Sequence, residues 1–167
     1  MVSIIMKHLH YYILAAGMVV LMSACGSKKP VAETAGFSTY ETECLGNDVD
    51  GLQMLRVYGT GIDEDDAIEQ AMKKAVSDVT FVGISGGQGE CNAYPVVDQA
   101  NARQKYEVYF NKFFQKGGTY KKYVTLKRKQ KKNANSYQGA GTVTMEVVLK
   151  VDRPGLKKRY QKDKILQ

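Results

Sequence analysis

The stretch that decides the fold is VYGTGIDEDDAIEQAMKKAVSDVTFVG, residues 57–83. Asp63 stands where a helix needs an N-cap, Asp66 can complete a reciprocal cap, and Glu69 and Lys73 have the spacing of an i,i+4 ion pair. The pattern predicts a helix from Asp63 to Phe81, with acidic residues at the positive end of its dipole. One face of this helix carries Ala67, Ile68, Ala71, Met72, Ala75, Val76 and Val79.

The segment before this helix has the two-residue period of a strand. In LQMLRVYGTG, residues 52–61, Leu55 and Val57 alternate with Met54, Arg56 and Tyr58. The earlier GFSTYETEC, residues 36–44, has a weaker pattern of the same kind. We expect these two segments to pair.

A second helix is predicted from about Asp98 to Lys116, followed by two glycines that would stop it. One broad face of this helix holds Ala102, Tyr106, Tyr109, Phe110, Phe113 and Phe114. Aromatic residues at helical spacing usually form core. The alternative is an aromatic groove for a peptide or a glycan.

The C-terminal third predicts a hairpin and a final helix. Thr142 to Val151 alternates apolar and polar residues, which is typical of a strand with one buried face, and Tyr120 to Lys129 is its expected antiparallel partner. Asp152 would cap a helix from about Arg153. The order of elements predicts an α+β fold: a small antiparallel sheet with helices packed on one face, in a single domain over residues 37–167.

The N-terminus is typical of an export signal. Lys7 precedes an apolar run from Tyr11 to Ala24, and its 14 residues are fewer than the 20 or so that span a bilayer. We therefore interpret residues 1–24 as a signal peptide and residues 25–36 as a flexible tether.

LMSAC, residues 21–25, resembles the lipobox of bacterial lipoproteins, except that Met22 stands where leucine is commonest. The resemblance implies that Cys25 becomes the first mature residue and carries acyl chains, including palmitate. Gly26 replaces the aspartate that usually holds similar lipoproteins in the inner membrane. The resemblance therefore implies an outer-membrane location. The alternative to lipid attachment at Cys25 is an ordinary signal peptide that happens to end beside a cysteine.

Composition argues against most enzyme chemistries. His8 and His10 are the only histidines, and both would leave with the signal peptide, which excludes a Ser-His-Asp triad and a histidine-containing zinc site. We therefore expect no enzyme and no cofactor. We also expect no metal site, because the acidic run 63–66 suits a helix start better than a calcium loop. A weaker alternative is a hydrolase that uses carboxylates such as Glu107 or Glu146.

Two cysteines follow Cys25, namely Cys44 and Cys91. In an oxidising envelope an even count predicts a disulfide, and two separate reduced thiols are the alternative. Cys91 follows GISGGQGE, residues 83–90, which lacks the Lys-Ser/Thr of a phosphate-binding loop. We predict a mobile loop there.

Charge is divided sharply along the chain. Residues 25–100 carry 5 basic and 13 acidic side chains, whereas residues 101–167 carry 18 basic and 4 acidic ones. Five cations fall within residues 127–132, and we call Lys127, Arg128, Lys129, Lys131 and Lys132 the basic arm. Outside the cytoplasm we expect no nucleic-acid partner. An envelope protein, an acidic glycan or an anionic lipid headgroup fits the arm, and lysines that only protect a strand edge are the alternative.

A family resemblance rests on residues 57–83 together with VTMEVVLKVDRPGLKKR, residues 143–159. They resemble a small α+β module of a bacterial lipoprotein family that also forms the N-terminal module of the flagellar envelope protein FlgT. The shared scheme is a strand ending in Gly-x-Gly, an Ala-rich helix, and a distal strand that leads into a final helix. The resemblance implies non-enzymatic work in assembly or scaffolding at the outer membrane.

Overall fold

A computed structural model describes residues 40–132 and 141–166. The expectations for Cys25, the signal peptide and the tether therefore lie outside the described residues. Within them, no helix is both long and apolar enough to cross a membrane. The strands are β1 Glu43–Asn47, β2 Gln53–Gly61, β3 Gly86–Gly87, β4 Val124–Lys132 and β5 Val143–Val151. The helices are α1 Glu64–Phe81, α2 Ala102–Lys105, α3 Glu107–Phe114 and α4 Arg153–Lys162, with a 3₁₀ turn at Thr119–Tyr123.

The strands form one sheet in the order β3-β1-β2-β5-β4. Every neighbouring pair is antiparallel except β1 and the two-residue β3, which run parallel. The helices pack against this sheet, and their buried residues join the inward-facing residues of β2 and β5 in one core. The predicted α+β class is confirmed. Of the segment 36–44 that was expected to pair with β2, Glu43 and Cys44 do so, and β1 continues to Asn47.

The contact between β2 and α1 is closer than ordinary side chains allow. A Cβ atom on Gly59 would lie 2.1 Å from the carbonyl oxygen of Ala67 and 2.6 Å from the backbone nitrogen of Ala71. A Cβ atom on Gly61 would lie 2.4 Å from the nitrogen of Ala67. The two glycines and the two alanines therefore let the helix backbone approach the strand backbone directly.

The predicted start of α1 is confirmed in detail. Asp63 is the N-cap, and its carboxylate accepts a hydrogen bond from the Asp66 nitrogen at 2.8 Å. The Asp66 carboxylate in turn accepts from the nitrogen of Ile62 at 3.1 Å, one residue before the position a standard capping box uses. The acidic run thus satisfies backbone donors that the helix leaves open.

The aromatic segment is core, as predicted, but it is not one helix. Asn101 has a left-handed φ of 58°, and Tyr106 leaves the helical region at φ −114° and ψ 34°, so α2 and α3 replace the single helix expected from Asp98 to Lys116. Phe110, Phe113 and Phe114 are buried in the common core. Their neighbours there include Tyr120, Tyr160 and Leu156.

Two predictions about the hairpin need correction. Tyr120 belongs to the 3₁₀ turn and is fully buried, so β4 begins only at Val124 and extends through Lys132. β4 thus continues three residues beyond the predicted end at Lys129, and residues 133–140 lie outside the described residues. β5 was expected to bury one face, yet Thr144 and Glu146 on its other face are also buried.

The cysteines form the predicted disulfide, Cys44–Cys91. Within the glycine-rich segment before Cys91, which was predicted to be a loop, Gly86 and Gly87 form a strand. This segment thus contributes β3 to the sheet, and the Gly89 nitrogen donates to the Cys44 carbonyl at 3.1 Å. A Cβ atom on Gly87 would lie 2.4 Å from that same carbonyl oxygen, so glycine is needed there for close pairing. The disulfide and this pairing close one edge of the sheet.

Substitution of Gly59 by alanine tests the close contact of β2 with α1. Because the added Cβ would meet helix backbone, which cannot turn aside, we expect Gly59→Ala to lower the free energy of unfolding by about 3 kcal/mol or more. Chemical denaturation followed by circular dichroism measures this. The matched control is Gly86→Ala, whose nearest contact would be 3.4 Å, and we expect it to cost about 1 kcal/mol or less. Equal losses for both variants would contradict the packing account.

Candidate functional site

The basic arm lies on β4, which is an edge strand. Arg128 is opposite Val148 of β5, and Lys129 is opposite Val147. Val147 faces the core whereas Val148 lies outside it, so Arg128 and Lys129 belong to opposite faces of the sheet. Both side chains are exposed, as is that of Lys127. Lys131 and Lys132 occupy the next register positions, opposite Met145 and Thr144, and their side chains lie outside the described atoms.

A β-bulge interrupts the ladder where the arm begins. The register shifts between Leu126 and Arg128, which leaves Lys127 as the additional residue on β4. Bulges bend an edge strand and increase its twist, and they often mark where regular pairing stops. The regular part of the arm is therefore the segment from Arg128 to Lys132.

The outer sheet face beside the arm is organised around Glu146. Its side chain is only 9% exposed, and it accepts a hydrogen bond from the Tyr58 hydroxyl at 3.0 Å. Arg56 approaches the same carboxylate at 3.7 Å and also bonds Glu43 at 2.8 Å. Arg128 approaches Glu146 from the other side at 3.9 Å. This buried carboxylate thus has cations on both sides.

The rest of this outer face is polar and aromatic. The ring of Tyr58 stacks on that of Tyr40 with their centroids 4.4 Å apart. The hydroxyl groups of Thr60 and Thr144 lie 2.9 Å apart across the strands. These cross-strand pairs reinforce the register of β2 and β5.

The two carboxylates that a hydrolase could use, Glu107 and Glu146, lie in different surroundings. Glu107 is exposed on the first turn of α3, whereas Glu146 is buried on β5 in the arginine network. Residues 40–132 and 141–166 contain no group of three potential metal-ligating side chains. The described geometry therefore assigns Glu146 a position in an ion-pair network of the sheet.

Glu69 connects α1 to the turn that precedes β4. Its carboxylate accepts hydrogen bonds from the Gly117 nitrogen at 3.0 Å and the Tyr120 hydroxyl at 3.1 Å, and it pairs with Lys121 at 3.0 Å. Glu69 makes these three contacts in place of the i,i+4 ion pair with Lys73 that its spacing suggested. Burial opposes its ionisation, but the hydrogen bonds from Gly117, Lys121 and Tyr120 outweigh burial and lower the pKa of Glu69. This clamp fixes where β4 starts.

The described residues also line two small cavities of about 310 Å³ each. One lies beside Phe81, Pro95 and Arg103. The other lies between β1 and the end of α1, where Asp78 accepts a hydrogen bond from Thr42 and pairs with Lys74. Three polar side chains of the second cavity thus already bond one another.

Sequence reasoning located the basic arm but missed both carboxylate networks. Glu146 was expected on the outer strand face, yet its partners Arg56 and Tyr58 lie almost 90 residues earlier in the chain. Glu69 bonds residues about 50 positions later. Local spacing carries no signal for contacts of this kind.

Comparison of the chain with models of protein families, with curated proteins and with solved structures finds no match.

Substitution of Glu69 by glutamine tests the clamp. Because the folded-state pKa is lowered, the ionised carboxylate stabilises the fold above its unfolded-state pKa of about 4.3, and this contribution is lost as pH falls through the folded-state value. We expect Glu69→Gln to cost about 1–3 kcal/mol at pH 7 and progressively less below about pH 4. Denaturation at several pH values measures the difference. The exposed Glu107→Gln is the control, and a pH-independent gap for Glu69→Gln would contradict the clamp.

A double-mutant cycle tests how firmly Glu146 holds the arm. Arg128 is 62% exposed and 3.9 Å from Glu146, so we expect a coupling free energy below about 1 kcal/mol. By contrast, Tyr58→Phe removes a hydrogen bond to a buried carboxylate and should cost about 1–3 kcal/mol. A coupling of Arg128 to Glu146 as large as the Tyr58 effect would show that Arg128 is a structural cation instead.

Proposed function

We propose that this protein is a non-enzymatic, lipid-anchored component of the bacterial outer membrane that works in assembly or scaffolding and uses the basic arm as its contact surface. The partner is anionic. The lipobox resemblance at Cys25 supports the anchor, and the resemblance to the FlgT-type module supports the role. The observation that carries the proposal is the exposure of three successive cations on an edge strand, namely Lys127, Arg128 and Lys129.

Two exposed cations of the arm, Arg128 and Lys127, are only weakly neutralised by the described part of the domain. Among the described residues Arg128 has one ion-pair contact, with Glu146 at 3.9 Å. Lys127 lies close enough to Asp48 to help lower the pKa of that carboxyl, after the larger effects of the Lys150 and Val49 hydrogen bonds. Such weak pairing at these two exposed positions leaves their positive potential directed toward solvent. An anionic surface would gain from every cation of the arm that it meets.

Protection of the strand edge is the competing interpretation. A lysine or a bulge at an edge is enough to discourage pairing with other chains, and β4 has a bulge at Lys127 already. Five cations in six positions exceed what protection requires. This excess favours a contact surface.

An aromatic ligand groove fits the geometry less well. Phe110, Phe113 and Phe114 are between 2% and 8% exposed and pack on one another and on Tyr160. A ligand would have to replace the core contacts of these rings. These aromatic side chains therefore stabilise the core, which argues against a peptide- or glycan-binding groove on this helix face.

Charge reversal of the arm tests the proposal. Replacing Lys127, Arg128, Lys129, Lys131 and Lys132 by glutamate should abolish recovery of the partner in a crosslinked pull-down from intact envelope, because the contact is electrostatic and the lipid anchor is unchanged. Circular dichroism of both proteins should agree, since the described arm side chains lie outside the core. The matched control reverses five other lysines, three of them on α4, with the same change in net charge: Lys112, Lys116, Lys157, Lys158 and Lys162.

Equal recovery of the partner with wild type and with the arm variant would contradict the proposal. Equal loss with the arm and control variants would also contradict it, because recovery of the partner would then depend on net charge and not on this surface.

A further inference from the structure

The two edges of the sheet are built differently. At one edge, β1 is paired with β3 and held there by the Cys44–Cys91 disulfide. At the other, β4 pairs with β5 on one side and has no strand on its other side among the described residues. Alternate residues of such an edge strand direct their N–H and C=O groups away from the sheet. The edge of β4 is therefore a template for an additional strand.

We propose that β4 binds an extended acidic segment of a partner protein as an added strand, along Arg128 to Lys132. This inference rests on the proposed function, since it names the kind of partner that the basic arm receives. Main-chain hydrogen bonds to β4 supply part of the affinity. Pairing of acidic side chains with the arm supplies the selectivity.

The placement of the cations favours a strand as the partner. Arg128 and Lys129 lie on opposite faces of the sheet, and an added strand also directs successive side chains to opposite faces. Consecutive acidic residues, or acidic residues on either face, would each meet a cation across the strands. A flat anionic surface would use the same charges without any need for the backbone edge.

The same charges exclude other strands. Two copies of β4 placed edge to edge would bring like charges together on both faces, which opposes self-pairing. A neutral strand would leave the lysines without counter-ions. The bulge at Lys127 ends the regular ladder on one side of the segment, so the added strand is confined to the residues that follow it.

The edge is already formed before a partner arrives. Glu69 holds the turn before β4 through Gly117, Tyr120 and Lys121, and β5 pairs with β4 along its length. A partner therefore bears the ordering cost of its own segment only. This preorganisation distinguishes β4 from a loop that would have to fold on binding.

The experiment uses the full-length protein in detergent and a peptide of about eight residues in which valine and glutamate alternate. We expect binding in isothermal titration calorimetry and slowed hydrogen exchange at alternate amides of residues 128–132. The matched control is the same peptide with N-methyl groups on alternate amides, along the edge that would face β4. It keeps the charge of the peptide but lacks the N–H donors to β4. It should bind at least about tenfold more weakly.

A charge-swapped pair completes the design. The Lys129→Glu/Lys131→Glu variant should bind the acidic peptide more weakly and gain a peptide of alternating valine and lysine, because the backbone edge is retained while the charge of one face is reversed. Its thermal midpoint should match that of wild type. Vesicles of phosphatidylglycerol and phosphatidylcholine serve as the non-peptide anionic probe.

Equal binding of the acidic peptide and its N-methylated form, with no protection of the β4 amides, would overturn the strand proposal. Binding to the vesicles but not to the peptide would also overturn it. In both cases the arm could still be required for recovery of the partner from the envelope, so failure of the added strand is distinguishable from failure of the proposed function.

Discussion

The backbone of α1 rests directly on the backbone of β2, and the rest of the sheet is arranged around that contact. Gly59 and Gly61 provide the space, and Ala67 and Ala71 occupy it without long side chains. The contact sets the distance between the helix layer and the sheet. Leu55, Val57, Met145, Val147 and Leu149 then fill the core at a fixed depth, together with the helical residues. Native cores tolerate little change of volume, so the glycine and alanine positions constrain everything packed around them.

The two sides of the sheet follow from this arrangement. The inner face is covered by helices, whereas the outer face is held by cross-strand pairs around Glu146 and Tyr58. Removal of one partner from such a buried network leaves a charge without compensation, which costs more than the pair itself contributes. The outer face therefore favours a precise register of β2, β5 and β4. That register places Arg128 and Lys129 on opposite sides of the edge.

Local patterns in the sequence predicted the elements that depend on local physics. The period of α1, the Asp63 and Asp152 caps, the alternation in β2 and the disulfide are all confirmed. The errors occurred where distant residues decide. Tyr120 has the alternation of a strand, but Glu69 and the aromatic core hold it in a 3₁₀ turn. The glycine-rich segment has the composition of a loop, yet Gly86 and Gly87 pair with β1 next to the disulfide.

Hydrogen exchange of the wild-type protein without any partner tests most directly whether the sheet is complete in itself and open at β4. The account predicts that amides of β2 and of α1 exchange slowest, through global unfolding, while alternate amides of residues 128–132 exchange rapidly because no strand pairs with them. Residues 86–89, at the disulfide edge, should show more protection than these. Uniform protection along β4, equal to that of β2, would contradict the account because it would show that the edge is already occupied.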